Sequence, residues 1–192
     1  MYKLIISIAV PIILVVIFGQ FGEGMGMNIF QQGPSTAKQA DEATLEKGLR
    51  GTLPPIDTAK NEVIIINRWA TWCGPCIQEI PDLNKLVDTY GDRATFIAVS
   101  DESKSHVTNW ISGRENFEFK YKLISGDSQL VSLLNTLDTQ TQGSAIPVHY
   151  LVNSDFEVEQ VLVGASDHNI EEIEAFLKKK LKGIDRLKIE LM

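Results

Sequence analysis

The apolar run Val63-Ile64-Ile65-Ile66 leads into Trp72 and then into Cys73-Gly74-Pro75-Cys76, which holds the only two cysteines of the 192-residue chain. A run that apolar reads as a central strand buried on both faces, so the two thiols stand two residues apart shortly after a strand ends. Closing so small a loop would constrain the unfolded chain by only roughly 2 kcal/mol, which makes a structural disulfide a poor use of the spacing. Reversible thiol-disulfide exchange is the reading it favours. A structural zinc ion would want four ligands and a second pair spaced like the first. There is no third cysteine, and His106, His149 and His168 are scattered without a paired spacing, so no metal and no other cofactor is expected.

Met1-Tyr2-Lys3 carries one positive side chain, and the stretch from Leu4 to Gly22 has no charged residue. At about 1.5 Å per residue such a helix covers about 28 Å, near the thickness of a bilayer's hydrocarbon core. Pro11 is tolerable there. Residues 1–21 therefore read as a transmembrane signal anchor with Lys3 on the cytoplasmic side, in preference to a cleaved signal peptide ending near Gly22-Glu23-Gly24. Residues 22–54 are rich in Gly, Gln, Ala, Ser and Thr and read as a flexible linker, with at most a helical turn over Thr44 to Leu49. The formal charge of −7, with no basic cluster outside the last helix, argues against a nucleic-acid partner. The dithiol is expected to face a compartment where disulfides persist.

Residues 55–182 have the size of one domain and alternate strand-like and helix-like patterns. Val63 to Trp69 and Ala94 to Ser100 read as buried strands. Between them Cys73 to Tyr90 reads as a helix with Ile77, Ile80, Leu83, Leu86 and Val87 on one face, which implies a parallel crossover. Pro81 should kink that helix, since it cannot donate to the Ile77 carbonyl. Further on come a short helix after Asp101, a short strand at Leu123-Ile124 and a helix through Leu130, Leu133, Leu134 and Leu137. Val148 to Val152 and Val158 to Val163 form a predicted hairpin around Asn153-Ser154-Asp155. The last helix starts near Asp167, acidic early and lysine-rich late, as its dipole favours. Residues 183–192 are a C-terminal tail in which Leu187, Ile189 and Leu191 alternate after Gly183, a pattern for an edge strand or for packing on the domain.

Asn67-Arg68-Trp69-Ala70-Thr71-Trp72-Cys73-Gly74-Pro75-Cys76, with Ile146-Pro147 far downstream, resembles the thioredoxin superfamily, and more narrowly its membrane-anchored TlpA/ResA-like branch. The resemblance covers about residues 54 to 180. It implies a thioredoxin-like three-layer α/β fold, a central mixed sheet flanked by helices, behind an N-terminal transmembrane helix. It also implies a thiol-disulfide oxidoreductase that reduces disulfides of extracytoplasmic proteins, apocytochrome c in cytochrome c maturation among them, with a membrane thiol donor restoring the dithiol.

At a strand-to-helix junction, the helix dipole and free N–H groups would stabilise the Cys73 thiolate, the nucleophilic form. Pro75 suits the first helical turn, Gly74 keeps the approach open, and Cys76 would point inward as the resolving thiol. Trp72 would flank the nucleophile as an apolar platform or simply pack. Glu79 lies three positions after Cys76 and so shares its helix face. Spacing alone favours an exposed glutamate, whereas the resemblance implies a base that takes the Cys76 proton, the more so because Asn67 stands where ordinary thioredoxins have a buried aspartate. Pro147 is the expected cis-proline facing the motif, with Ile146 beside it, and a partner's extended segment would pair there. Arg68 replaces the aromatic residue usual in the family. Near the motif it would lower the Cys73 pKa, but packing with its guanidinium in solvent is the favoured reading. His149, two residues past Pro147, reads as a strand histidine without a chemical task.

The alternatives are a thiol oxidase or isomerase, and a thiol peroxidase, for which Thr71 and Arg68 are a poor activating pair. The non-enzymatic alternative is a copper-delivery or redox-sensing module using Cys73 and Cys76.

Overall fold

The computed structural model describes residues 35–57 and 63–190, with side-chain environments over 44–57 and 63–182. The anchor reading of residues 1–21 lies outside them, and among the described residues no helix is long and apolar enough to cross a membrane.

The elements in chain order are α1 (Ser35–Thr52), β1 (Val63–Arg68), α2 (Gly74–Tyr90), β2 (Ala94–Ser100), α3 (Lys104–Ser112), β3 (Lys122–Ser125), α4 (Ser128–Leu137), β4 (Val148–Asn153), β5 (Val158–Val163) and α5 (Asp167–Glu190). The five strands form one sheet in the order β3-β2-β1-β4-β5. β1, β2 and β3 are parallel, whereas β4 runs antiparallel to β1 and β5 antiparallel to β4. The apolar run thus becomes the middle strand, and all six of its residues are buried.

Successive side chains on a strand point to opposite faces, so β1 feeds two separate cores. Ile64 and Ile66 pack with Leu130 and Leu134 of α4 and with Leu49 of α1. Val63 and Ile65 pack with Leu83 and Leu86 of α2 and with Ile173 and Leu177 of α5. A third cluster, at the carboxyl ends of β1 and β2, joins Trp69, Cys73, Cys76 and Ile80 to Val107 and to the aromatic rings of Trp110, Phe117, Phe119 and Tyr121. The motif therefore rests on a layer of aromatic side chains. α2 continues through Pro81 to Tyr90.

Two expectations are corrected. The stretch from Ser35 to Thr52 is a helix rather than a flexible linker. Leu49 is fully buried and Leu53 nearly so, and their spacing of four places both on one helical face. The Arg50 guanidinium stacks 4.2 Å from the Phe156 ring centroid and donates to the Asp155 carbonyl at 3.1 Å, which ties the end of α1 to the β4–β5 turn. Nor do the described residues after 182 form an edge strand, because α5 runs through Gly183 to Glu190. A glycine costs a helix only about 1 kcal/mol. The sequence Leu181, Ile184, Leu187 also fits a helical spacing as well as the alternation seen from Leu187 onward fits a strand.

If the end of α1 is core, Leu49→Ala should destabilise the domain by about 2–5 kcal/mol, read from denaturant unfolding. A residue of a solvated tether would change it by no more than about 0.5 kcal/mol.

Candidate active site

After Arg68 the chain leaves the sheet, with the Trp69 N–H still bonded to the Val99 carbonyl at 3.0 Å and the Cys73 N–H turned back onto the Ala70 carbonyl at 3.1 Å. Cys73 then caps α2. Its backbone is extended (φ −85°, ψ 95°), and its sulfur accepts the Cys76 N–H at 3.2 Å. Pro75, lacking an N–H, occupies the first turn. The two sulfurs are joined in a disulfide. Cys73 keeps 4 % exposure and Cys76 none, so only the first can be reached from outside. A side chain at Gly74 would meet nothing within 4 Å, which leaves the face beside the disulfide open. Trp72 is 72 % exposed, the one large apolar side chain so placed among the described residues.

The loop before the motif is held by an anchor that sequence reasoning missed. Thr71 donates both its N–H, at 2.7 Å, and its hydroxyl to the Glu102 carboxylate, which also accepts from the Ser100 hydroxyl at 3.1 Å. His106 Nε2 lies 3.3 Å from the same carboxylate. Burial pushes the Glu102 pKa up, but these hydrogen bonds outweigh it and hold the group below its ordinary value. Nothing in the sequence links Thr71 to Glu102, since they meet only because β1 and β2 are parallel neighbours.

From the other side, the Ile146–Pro147 peptide is cis, as the resemblance implies, and the Ile146 carbonyl oxygen lies 3.9 Å from Cys73 Sγ. A disulfide sulfur has no proton to give, so this approach becomes an S–H···O contact only on reduction. The Gly164 N–H donates to the Pro147 carbonyl at 2.8 Å. Upstream, the buried Asp138 carboxylate accepts from the Thr141 hydroxyl and from the N–H groups of Gln140, Thr141 and Gly143. Burial raises the Asp138 pKa, yet these bonds leave it lowered, and they order the turn that leads to Ile146.

Glu79 is 5 % exposed, not the exposed helix glutamate that spacing alone favours. Asn67 Nδ2 donates to Glu79 Oε1 at 3.1 Å and approaches His149 Nδ1 at 3.3 Å. His149 Nε2 lies 3.4 Å from Glu79 Oε2. His149 is the strand residue expected, fully buried and paired across the sheet with Asn67. Tyr121 is buried nearby, its pKa pushed far up by burial and by the Glu79 charge.

Arg68 is corrected too. It sits on the opposite face of β1, buried, with its guanidinium bonded to Asn135 of α4 and beside Tyr150, whose pKa burial pushes up to about 12 against the pull of Arg68. Its guanidinium is held on the face remote from Cys73, and only 6 % of the residue remains exposed.

Residues 36–161 match the AhpC/TSA family. The chain belongs to that family. Among its relatives is the thioredoxin-like protein YneN of Bacillus subtilis (strain 168), 27% identical over 150 residues, which are 71% of this chain and 88% of that one. Another is the thiol-disulfide oxidoreductase ResA of Bacillus thuringiensis (strain Al Hakam), 24% identical over 172 residues, 88% of this chain and 92% of that one. Among solved structures, a thiol:disulfide interchange protein of the thioredoxin family from Chlorobium tepidum TLS superposes with a TM-score of 0.52 at 25% identity, over 64% of this chain and 81% of that one. The fold is thioredoxin-like.

Because the Glu102 pKa is lowered in the folded chain, its stabilising effect is present above the ordinary carboxylate range and is lost as the pH falls through its folded value. Glu102→Gln should therefore cost about 1–2 kcal/mol at pH 7. The gap to the parent, followed by thermal unfolding across pH, should close in acid.

Proposed function

We propose that this thiol-disulfide oxidoreductase works as a reductant of disulfides in exported proteins, held at the membrane by residues 1–21, with apocytochrome c among its substrates and a membrane thiol donor restoring the dithiol. The observation that carries the direction of attack is the position of Cys73. It caps α2, accepts the Cys76 N–H and is the more exposed of the two cysteines. A thiolate there is stabilised by the helix dipole and the free first-turn N–H groups.

In the reduced protein the Cys73 thiolate attacks one sulfur of the partner's disulfide, forming a mixed disulfide and releasing the other partner sulfur as a thiolate that takes up a proton. Glu79, one helical turn beyond Cys76, takes the Cys76 proton. The Cys76 thiolate then attacks Cys73 Sγ, closing the Cys73–Cys76 bond and expelling the second partner thiolate. Two electrons have passed to the partner. The donor dithiol returns them by the same exchange in reverse. Trp72, Gly74, Pro75, Ile146 and Pro147 surround the disulfide as the docking surface for the partner's chain.

A peroxidase reading, raised by the family, would want an arginine and a free threonine hydroxyl activating Cys73. Arg68 is committed to Asn135 on the far face, and the Thr71 hydroxyl to Glu102. Slow peroxide consumption in the presence of a reducing system is the expected result. Stoichiometric copper on protein purified under reducing conditions would favour the delivery reading instead.

Replacing Cys76 by Ser should abolish turnover and make partners accumulate as mixed disulfides on Cys73, identified by mass. Accumulation in Cys73→Ser would reverse the assigned roles, and captured apocytochrome would support the maturation role. Full-length protein should stay with membranes after alkaline washing, and deletion of residues 1–21 should release it. A mature chain beginning near residue 24 would show cleavage instead.

A further inference from the structure

An amide nitrogen only donates, so the Asn67 Nδ2 that faces both Glu79 Oε1 at 3.1 Å and His149 Nδ1 at 3.3 Å fixes more than the carboxylate. It requires Nδ1 of His149 to be an acceptor, and the neutral ring then carries its proton on Nε2. That atom lies 3.4 Å from Glu79 Oε2, beyond an ordinary N–H···O distance, and among the described residues neither atom makes a hydrogen bond, so each is the nearest polar group the other is left to face. Turning the Asn67 amide over would set its oxygen against a carboxylate oxygen, so the donor orientation is the favourable one.

We propose that His149 is a positioning residue for the thiol exchange: with its Nδ1 held by Asn67, its Nε2–H holds the Glu79 carboxylate in place behind Cys76. The proposal rests on Glu79 serving Cys76. Both Glu79 oxygens then face N–H donors, one from β1 and one from β4, and the carboxylate is fixed from the sheet rather than from its own helix. The His149 Nε2–H faces the carboxylate, and removing the ring takes away a donor that favours its ionised form. Of the other ionisable groups, Tyr121 from the segment before β3 feels the Glu79 charge, and Cys76 lies one turn earlier on the helix of Glu79. Asp82 and Asp167 line the cleft of about 150 Å³ between α2 and α5 onto which Glu79 opens. β5 presents Leu162 opposite His149, which has no charge to offer.

The test separates the two sulfurs. Reduced protein is mixed with dithiobis(nitrobenzoate): attack by Cys73 releases one thionitrobenzoate, and attack by Cys76 on the mixed disulfide releases the second. Each release is followed optically across pH. His149→Leu should leave the first release unchanged and move the acid limb of the second to higher pH by about one unit. His149→Gln, which keeps an N–H donor, should bring the limb back towards the parent. Glu79→Gln should slow the second release and remove its acid limb. If the limb vanishes in Glu79→Gln but stays in place in His149→Leu, the role of His149 is overturned and that of Glu79 stands. If Glu79→Gln leaves the limb unmoved, both fall. Should His149→Leu not fold, the imidazole nitrogens of the parent protein decide by NMR: an Nε2–H tautomer at pH 7 is expected, and an Nδ1–H or doubly protonated ring would overturn the proposal.

Discussion

The alternation of side chains along β1 governs the rest of the molecule. The strand is buried on both faces, so whatever occupies its last positions must be accommodated in one core or the other. Asn67 falls on the face covered by α2 and Arg68 on the face covered by α4. A slip of one residue would exchange them, setting a guanidinium behind Cys76 and an amide against Asn135. Parallel pairing with β2 and antiparallel pairing with β4 pin the register from both sides. The same pinning sets where the chain leaves the sheet, and hence where Cys73 begins α2.

Much of this architecture is legible in the residues because the relevant signals are local. Val63 to Ile66 announces a central strand, Ile80, Leu83 and Leu86 announce the buried face of α2, and Asn153-Ser154-Asp155 announces the β4–β5 turn. The dithiol motif and its order of residues are likewise contained in one short stretch. α1 is hidden because averaging composition over residues 22–54 dilutes one apolar pair, Leu49 and Leu53, that needs only its spacing of four to form a face. α5 outruns the stop expected at Gly183 because a glycine is weak punctuation in a helix that already has several turns behind it.

What could not be read locally are the polar partners. Glu102 finds Thr71 through the parallel register, and His149 finds Asn67 through the antiparallel one. In each case the pairing is a property of the sheet and not of either segment. Arg68 shows the same limit from the other direction: its position beside the motif in sequence says nothing of which face it occupies. The register of β1 decides that, and it sends the charge to the face opposite Asn67 and Glu79.

The polar atoms around Glu79 stand in a place where apolar side chains would pack more cheaply. Burying a carboxylate and an imidazole removes their hydration, and even a well-made pair regains that loss only in part. Here the contact between Glu79 Oε2 and His149 Nε2 is long, and Asn67 Oδ1 and the Trp69 and Tyr121 polar atoms are also without protein partners among the described residues. Replacing such a buried pair by well-packed apolar side chains of similar volume is often neutral or stabilising. The cost is confined to the end of the α2 core nearest the disulfide, whereas the same helix a turn or two later is sealed by Leu83 and Leu86. Closing and reopening the Cys73–Cys76 bond requires a proton to leave and return to a sulfur with no exposure of its own. On the proposed reading Glu79 holds that proton, and the donors facing its carboxylate, Asn67 on β1 and His149 on β4, belong to the sheet rather than to the helix that carries Cys76.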